Sequence, residues 1–211
     1  RDRKCLLSIN KELSQKANVN VPEFGIFDSK QPNAFATGSS KNNSLVAVST
    51  GLLVTMNKDE VEAVVAHEIC HISNGDMVTM SLIQGIINTF VIFFSRIIGY
   101  LVDRLVFKVQ RGHGPAYFIT SIIAQIVLSI LASIIVMWFS RRREYKADSG
   151  AALLVGKEKM ISALKVLGKQ STDPLPDQMA AFGISGNKKK ISSLFSSHPS
   201  IEKRISALLN L

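Results

Sequence analysis

The chain has 211 residues, 46% of them hydrophobic, and a net charge of +9. That length suffices for one domain with a real core, or for a small domain joined to membrane segments. Its two cysteines exclude a disulfide framework and suit a reducing compartment. No basic stripe interleaved with aromatics is present, which argues against nucleic acid as a partner. The chain starts at Arg1 and shows no signal peptide, so it reads as a fragment or processed form.

Residues 1–18 place Leu6, Leu7, Ile9 and Leu13 among charged side chains and predict a surface helix. Pro22 opens a β-like region with short strands at 24–27, 33–36 and 45–48, and a turn at 38–43. An edge strand of such a sheet can pair with an extended peptide, which makes Asn33, Ala34 and Phe35 candidate substrate-binding residues. The alternative is that the sheet only covers the helix that follows.

That helix, read VEAVVAHEICHI over 61–72, organises the chain. His67 and His71 are four residues apart and therefore stand one turn apart on one helical face. Two imidazoles so placed can share one Zn²⁺. Glu68 leaves the helix at a different angle, which suits it to take a proton from water rather than to bind the metal. Asn57 as N-cap with Glu60 at the third helical position, and Asn74-Gly75 as a stop, delimit the helix. Cys70 points away from the histidines and reads as a small core residue.

Residues 117–139 form a charge-free stretch long enough to cross a bilayer core of about 30 Å. It ends in Trp138 and Phe139 and then Arg141-Arg142-Arg143, an interfacial aromatic pair followed by cations that suit anionic lipid headgroups. Residues 80–102 form a weaker span containing Gln84, Asn88 and Arg96, with a polar loop at 103–115. Ser121, Gln125, Ser129 and Ser133 recur every fourth residue. This stripe, with Gln84 and Asn88 and with Ser81 and Gly85 on the first span, predicts contacts with each other or with further helices. A hairpin buried in a soluble core is the alternative.

Beyond the second span, Glu144 and Asp148 again share one helical face. Residues 157–169 read as a helix, 173–176 as a break and 183–190 as a loop. His198-Pro199-Ser200 leads into a last helix with Ile201, Ile205, Leu208 and Leu209 inward. A hydrolytic zinc site keeps three protein ligands. His113 lies in the connecting loop, on the far side of the hairpin, so a carboxylate is the better third ligand. Glu144 is that candidate, with Asp148 accepting from the outward N–H of a ligand histidine. Two crossings return the chain to the side it left, which brings Glu144 to His67 and His71. The competing reading of Glu144 is a surface ion pair with Arg141 or Lys146.

Four ordered motifs, PNAFATG at 32–38, VVAHEICHISNGD at 64–76, RRREYKAD at 141–148 and HPSIEKRI at 198–205, resemble the signatures of the HtpX heat-shock proteases. These are membrane zinc metallopeptidases related to the prenyl-protein CAAX proteases. The resemblance implies an α+β fold: a mainly helical, gluzincin-like protease domain with a small β-sheet and an inserted transmembrane hairpin, divided at 1–79, 80–139 and 140–211. It implies one Zn²⁺ held by His67, His71 and Glu144, with Glu68 as general base. It also implies a bacterial inner-membrane enzyme whose active site faces the cytoplasm and whose substrates are damaged membrane proteins. Two further N-terminal membrane helices of the family are absent here. Resemblance supports catalytic-site roles for His198 and Arg204. The division of labour expected is His198 donating to the oxyanion and Arg204 orienting Asp148 or the substrate. The alternative for His198 is a cap on the last helix. The rival functions are a CAAX-type peptidase and a non-catalytic scaffold with a structural zinc.

Overall fold

A computed structural model describes residues 3–170 and 198–211. The break expected at 173–176 and the loop expected at 183–190 lie outside the described residues. The chain divides into two compact units, Arg1–Val78 with Arg141–Leu211, and Thr79–Ser140.

In the first unit, α1 (Arg3–Lys16) buries Leu6, Ile9, Asn10, Leu13 and Ser14. Leu7 is 43% exposed because it falls off this i, i+3, i+4, i+7 stripe. Three strands follow: β1 (Glu23–Phe27), β2 (Ala34–Ser40) and β3 (Asn43–Ser49). Their order is β1-β3-β2, with β1 parallel and β2 antiparallel to β3. The turn between β2 and β3 is tighter than expected, because β2 runs on to Ser40, which pairs with Asn43. Val46 and Val48 are fully buried, and Ala34 and Ala36 opposite them share that face.

Helix α2 (Thr50–Thr55) is a short link into α3 (Lys58–Asn74). The start of α3 follows from its sequence. Asn57 Oδ1 accepts from the Glu60 N–H at 2.9 Å, and Glu60 Oε2 accepts from the Asn57 N–H at 2.9 Å. Gly75 ends the helix at φ 71°, the left-handed region that favours glycine. Sequence periodicity predicts burial on one side, but α3 is buried nearly all round, with Val61, Ala63, Val65, Ala66, Ile69 and Ile72 at 1% exposure or less. The small Ala63 and Ala66 let neighbouring elements close in on a second face. Each large apolar side chain so buried contributes roughly 1.5–3 kcal/mol.

Helix α5 (Pro115–Val155) is continuous over 41 residues, whereas sequence reading separates the span from the helix carrying Glu144. Arginines at 141–143 look like a boundary, yet they favour helix as well as any long side chain does. The last turns of α5 pack on α3 where Gly150 meets Cys70; a Cβ at Gly150 would lie 2.8 Å from Cys70 Sγ. Helix α6 (Lys157–Gln170) buries Met160, Ala163 and Leu164. The final helix α7 (Ile201–Leu209) buries Arg204 and Leu208, while Leu209, expected inward, is 63% exposed. The buried stripe runs through Arg204 and Leu208, one turn apart, and Leu209 is rotated about 100° away.

Burial pushes the Cys70 thiol up to about 12, with the charges of Asp76 and Asp148 adding to the rise. Cys70 is therefore expected to resist alkylation by iodoacetamide at pH 8 in the native chain, while the half-buried Cys5 reacts. Peptide mass spectrometry after quenching reads this out, and rapid labelling of Cys70 would contradict its core position.

In the second unit, α4 (Asp76–Leu105) and α5 are long and apolar enough to cross a membrane, and only 6% of the most apolar window of each is buried. That exposure does not fit a hairpin hidden in a soluble core. Beyond Asp76 at its start, the buried positions of α4 fall at Val91, Ser95, Gly99 and Asp103, one every four residues. A side chain at Gly99 would overlap Ser121 Oγ, so the missing Cβ sets the approach of the two helices. Of the expected polar stripe, Ser121 lies against Gly99. Gln125 and Ser129 are exposed, and Gln84 and Asn88 hydrogen-bond to each other at 2.9 Å. The loop is closed by Asp103, which accepts from the Gly114 N–H at 2.8 Å, and by Arg104, which donates to the Val109 carbonyl at 2.7 Å.

Candidate metal centre

Helix α3 presents His67 and His71 on one face with their Nε2 atoms 3.1 Å apart and their rings edge to face. Helix α5 lays Glu144 over that face. His67 Nε2 lies 3.6 Å from Glu144 Oε2, and His71 Nε2 lies 3.4 Å from Glu144 Oε1. Glu144 is 2% exposed.

These separations test whether a metal fits. Four ligands around zinc at about 2.0–2.1 Å stand about 3.3–3.4 Å apart along the tetrahedral edges. The three observed distances straddle that value. Glu144 is a carboxylate only 2% exposed, and a cation between these groups would neutralise its buried charge. Two nitrogens and one oxygen also form a donor set that zinc favours.

A second row of carboxylates backs the imidazoles. Asp148, 1% exposed, puts Oδ1 3.0 Å from His67 Nδ1. Asp76, which opens α4 directly after Gly75, accepts from His71 Nδ1 at 2.6 Å. Asp148 is held in turn by Arg204, whose Nε and Nη2 donate to Oδ2 at 2.7 Å and Oδ1 at 2.5 Å. Arg204 Nη1 reaches 3.5 Å from Glu144 Oε2, and His198 Nδ1 reaches 3.0 Å from the same oxygen. Arg204 thus pairs with Asp148 through two hydrogen bonds. Capping of α7 does not fall to His198, because the N-cap is Ser200 and carries no side-chain cap bond.

Electrostatics follow the geometry. Burial alone would lower the imidazole of His71, but Asp76 and Glu144 outweigh it and hold the group up at about 9. His67 is likewise raised against its burial by Asp148 and Glu144. Burial alone would raise Glu144, yet His198, His67 and His71 hold it far below the usual carboxylate range. Asp148 is held low by Arg204 and His67 against its burial. Each of these shifts says that the cluster stabilises positive charge between its carboxylates. Glu68 is half-buried and takes no place among the three donors, though its charge bears on both imidazoles and on Arg204.

The candidate substrate-binding residues sit on β2, an edge strand among the described residues. Asn33 immediately precedes the strand; its N–H donates to Ser49 Oγ at 2.9 Å and its carbonyl accepts from the Ser49 N–H at 2.8 Å. Ala34 faces inward opposite Val48, whereas Phe35 lies on the outer face, 42% exposed, with its ring 5.5 Å from that of Phe27. Sequence reading gave no role to Asp76. The signals for it were an acid directly after the helix-stopping glycine and its place as the last residue of the 64–76 motif.

The family model for Peptidase family M48 matches residues 2–211. The chain belongs to peptidase family M48. As an M48 member it is a metalloprotease, which agrees with the resemblance read from its motifs. It is 62% identical over 197 residues to a Protease HtpX homolog of Nitrosomonas europaea, covering 92% of this chain and 67% of that protein. It is 61% identical over 205 residues to a Protease HtpX of Pseudoalteromonas atlantica, covering 96% of this chain and 70% of the relative. The fold is similar to the crystal structure of S. mikatae Ste24p, with a TM-score of 0.65 at 23% identity, over 96% of this chain and 49% of that one. This M48 chain is therefore mainly helical, with a small three-stranded sheet and two long apolar helices. The metal implied by M48 membership fits the donor set of His67, His71 and Glu144.

Proposed function

We propose that the chain is a zinc-dependent, membrane-bound endopeptidase of gluzincin type that cleaves misfolded or damaged membrane proteins. The observation that carries this reading is the meeting of His67 Nε2, His71 Nε2 and Glu144 at 3.1–3.6 Å, brought together from α3 and α5. These three residues would hold one Zn²⁺. Three protein ligands leave a position for chemistry, whereas a structural scaffold site would be closed by four.

Zinc bound there would act as a Lewis acid, lowering the pKa of water to about 7 and polarising the scissile carbonyl. Glu68, beside a ligand but outside the donor set, takes the proton of the attacking water and passes it to the leaving amine. Asp148 and Arg204 keep the His67 ring in place. His198, whose side chain is 65% exposed at the edge of the centre, can reach a substrate and donates to the developing oxyanion. Asn33, Ala34 and Phe35 offer the edge of β2 to an extended peptide. Residues 80–139 cross the bacterial inner membrane as a hairpin between the two protease segments, 1–79 and 140–211. The active site faces the cytoplasm, and Trp138, Phe139 and Arg141–Arg143 lie against lipid headgroups.

Cleavage of unmodified casein, compared with a prenylated CAAX-type peptide, tests the substrate class on full-length protein in detergent. Casein cleavage without any prenyl requirement is expected. Cleavage of the prenylated peptide alone would replace this reading by the CAAX-type one.

His198→Ala is expected to bind zinc normally and to lose about 10²–10³ in kcat with little change in KM, the usual cost of one oxyanion donor. Steady-state kinetics with metal analysis checks this. Intact activity with a lower Tm would make His198 a structural residue.

A further inference from the structure

Asp76 is 6% exposed and lies at the junction between α3 and the apolar helix α4. Along a continuous helix, residues five apart point about 140° away from each other. His71 and Asp76 meet only because Gly75, at φ 71°, turns the chain between them. The result is a 2.6 Å contact between Asp76 Oδ2 and His71 Nδ1, on the ring edge remote from His67. The Asp76 carbonyl also accepts from Arg143 Nη1 at 3.4 Å, and Arg143 directly precedes Glu144.

We propose that Asp76 is a positioning residue for the metal centre: its carboxylate accepts from His71 Nδ1–H, fixing the tautomer that turns the Nε2 lone pair toward the metal. The proposal rests on His71 being a ligand, as argued above. A carboxylate behind a ligand imidazole orients the ring and raises its basicity. The two imidazoles then have separate anchors. Asp148 on α5 holds His67, and Asp76 at the first residue of α4 holds His71. The acid at the start of α4 has an alternative use, because a negative charge in the first turn also suits the helix dipole. That use alone would affect stability and leave metal affinity untouched.

Zinc affinity of the full chain in detergent, measured by competition with a chromophoric chelator, separates these roles. Wild type is compared with Asp76→Asn, Asp76→Ala and His71→Ala. Asp76→Ala is expected to weaken zinc binding about 10–100-fold. Asp76→Asn should fall between it and wild type, because its amide oxygen still accepts from Nδ1. The visible spectrum of the Co²⁺-loaded chain should shift in the same order. Wild-type affinity in Asp76→Ala, with binding lost in His71→Ala, would overturn this inference alone. Undiminished binding in His71→Ala would overturn the metal site beneath it. Should Asp76→Ala fail to fold, the ¹⁵N shifts of His71 in the zinc-loaded wild type decide. A protonated Nδ1 with metal-bound Nε2 supports the proposal, and coordination through Nδ1 refutes it.

Discussion

Glu144→Ala is expected to abolish stable zinc binding and, with it, proteolysis. Two imidazoles alone make a weak site, and in the described structure no other carboxylate reaches both Nε2 atoms. The chain should still fold. Arg204 keeps its two hydrogen bonds to Asp148, at 2.7 and 2.5 Å, so no buried cation is stranded. Asp148→Ala differs in kind. It should weaken zinc only about 10–100-fold through the loss of His67's anchor. It also leaves Arg204, which is 7% exposed, with only its 3.5 Å approach to Glu144 Oε2, and should lower stability by up to about 3–5 kcal/mol, the usual penalty for breaking a buried pair. Metal analysis and thermal unfolding of both variants separate the two effects. Equal zinc in Glu144→Ala and wild type would mean that another residue is the third ligand.

Glu68→Gln should do the reverse, keeping zinc and losing nearly all turnover. The substitution preserves shape and leaves His67, His71 and Glu144 untouched, but an amide cannot accept the proton. General-base loss costs about 10²–10⁴-fold. Kinetics at measured zinc occupancy would check it, and near-normal turnover by a fully loaded variant would remove Glu68 from the mechanism.

What could be read in advance divides along a physical line. Local spacing was legible. The i, i+4 placement of His67 and His71, the Asn57–Glu60 capping box and the Gly75 stop depend only on helix geometry. The meeting of Glu144 with the histidines across 73 residues of sequence was legible only by indirect argument, from the shortage of histidines and the return of a hairpin to its starting side. Backbone breaks hid the rest. Asp76 sits five residues from His71, and no helical periodicity joins such a pair until Gly75 adopts positive φ. His198 precedes α7, so helical spacing does not relate it to Arg204. Both approach Glu144 Oε2, at 3.0 and 3.5 Å. Packing between α4 and α5 follows the smallest residue, Gly99, and leaves Gln125 and Ser129 exposed, on a face where the alternative expectation was contact with further helices.

The central claim is one catalytic zinc held by His67, His71 and Glu144. The most direct test is elemental analysis of the full-length protein purified in detergent, paired with casein cleavage before and after chelation. One zinc per chain is predicted, with cleavage lost on chelation and restored by stoichiometric Zn²⁺, and neither present in Glu144→Ala. Casein cleavage that persists in the metal-free protein would contradict the account.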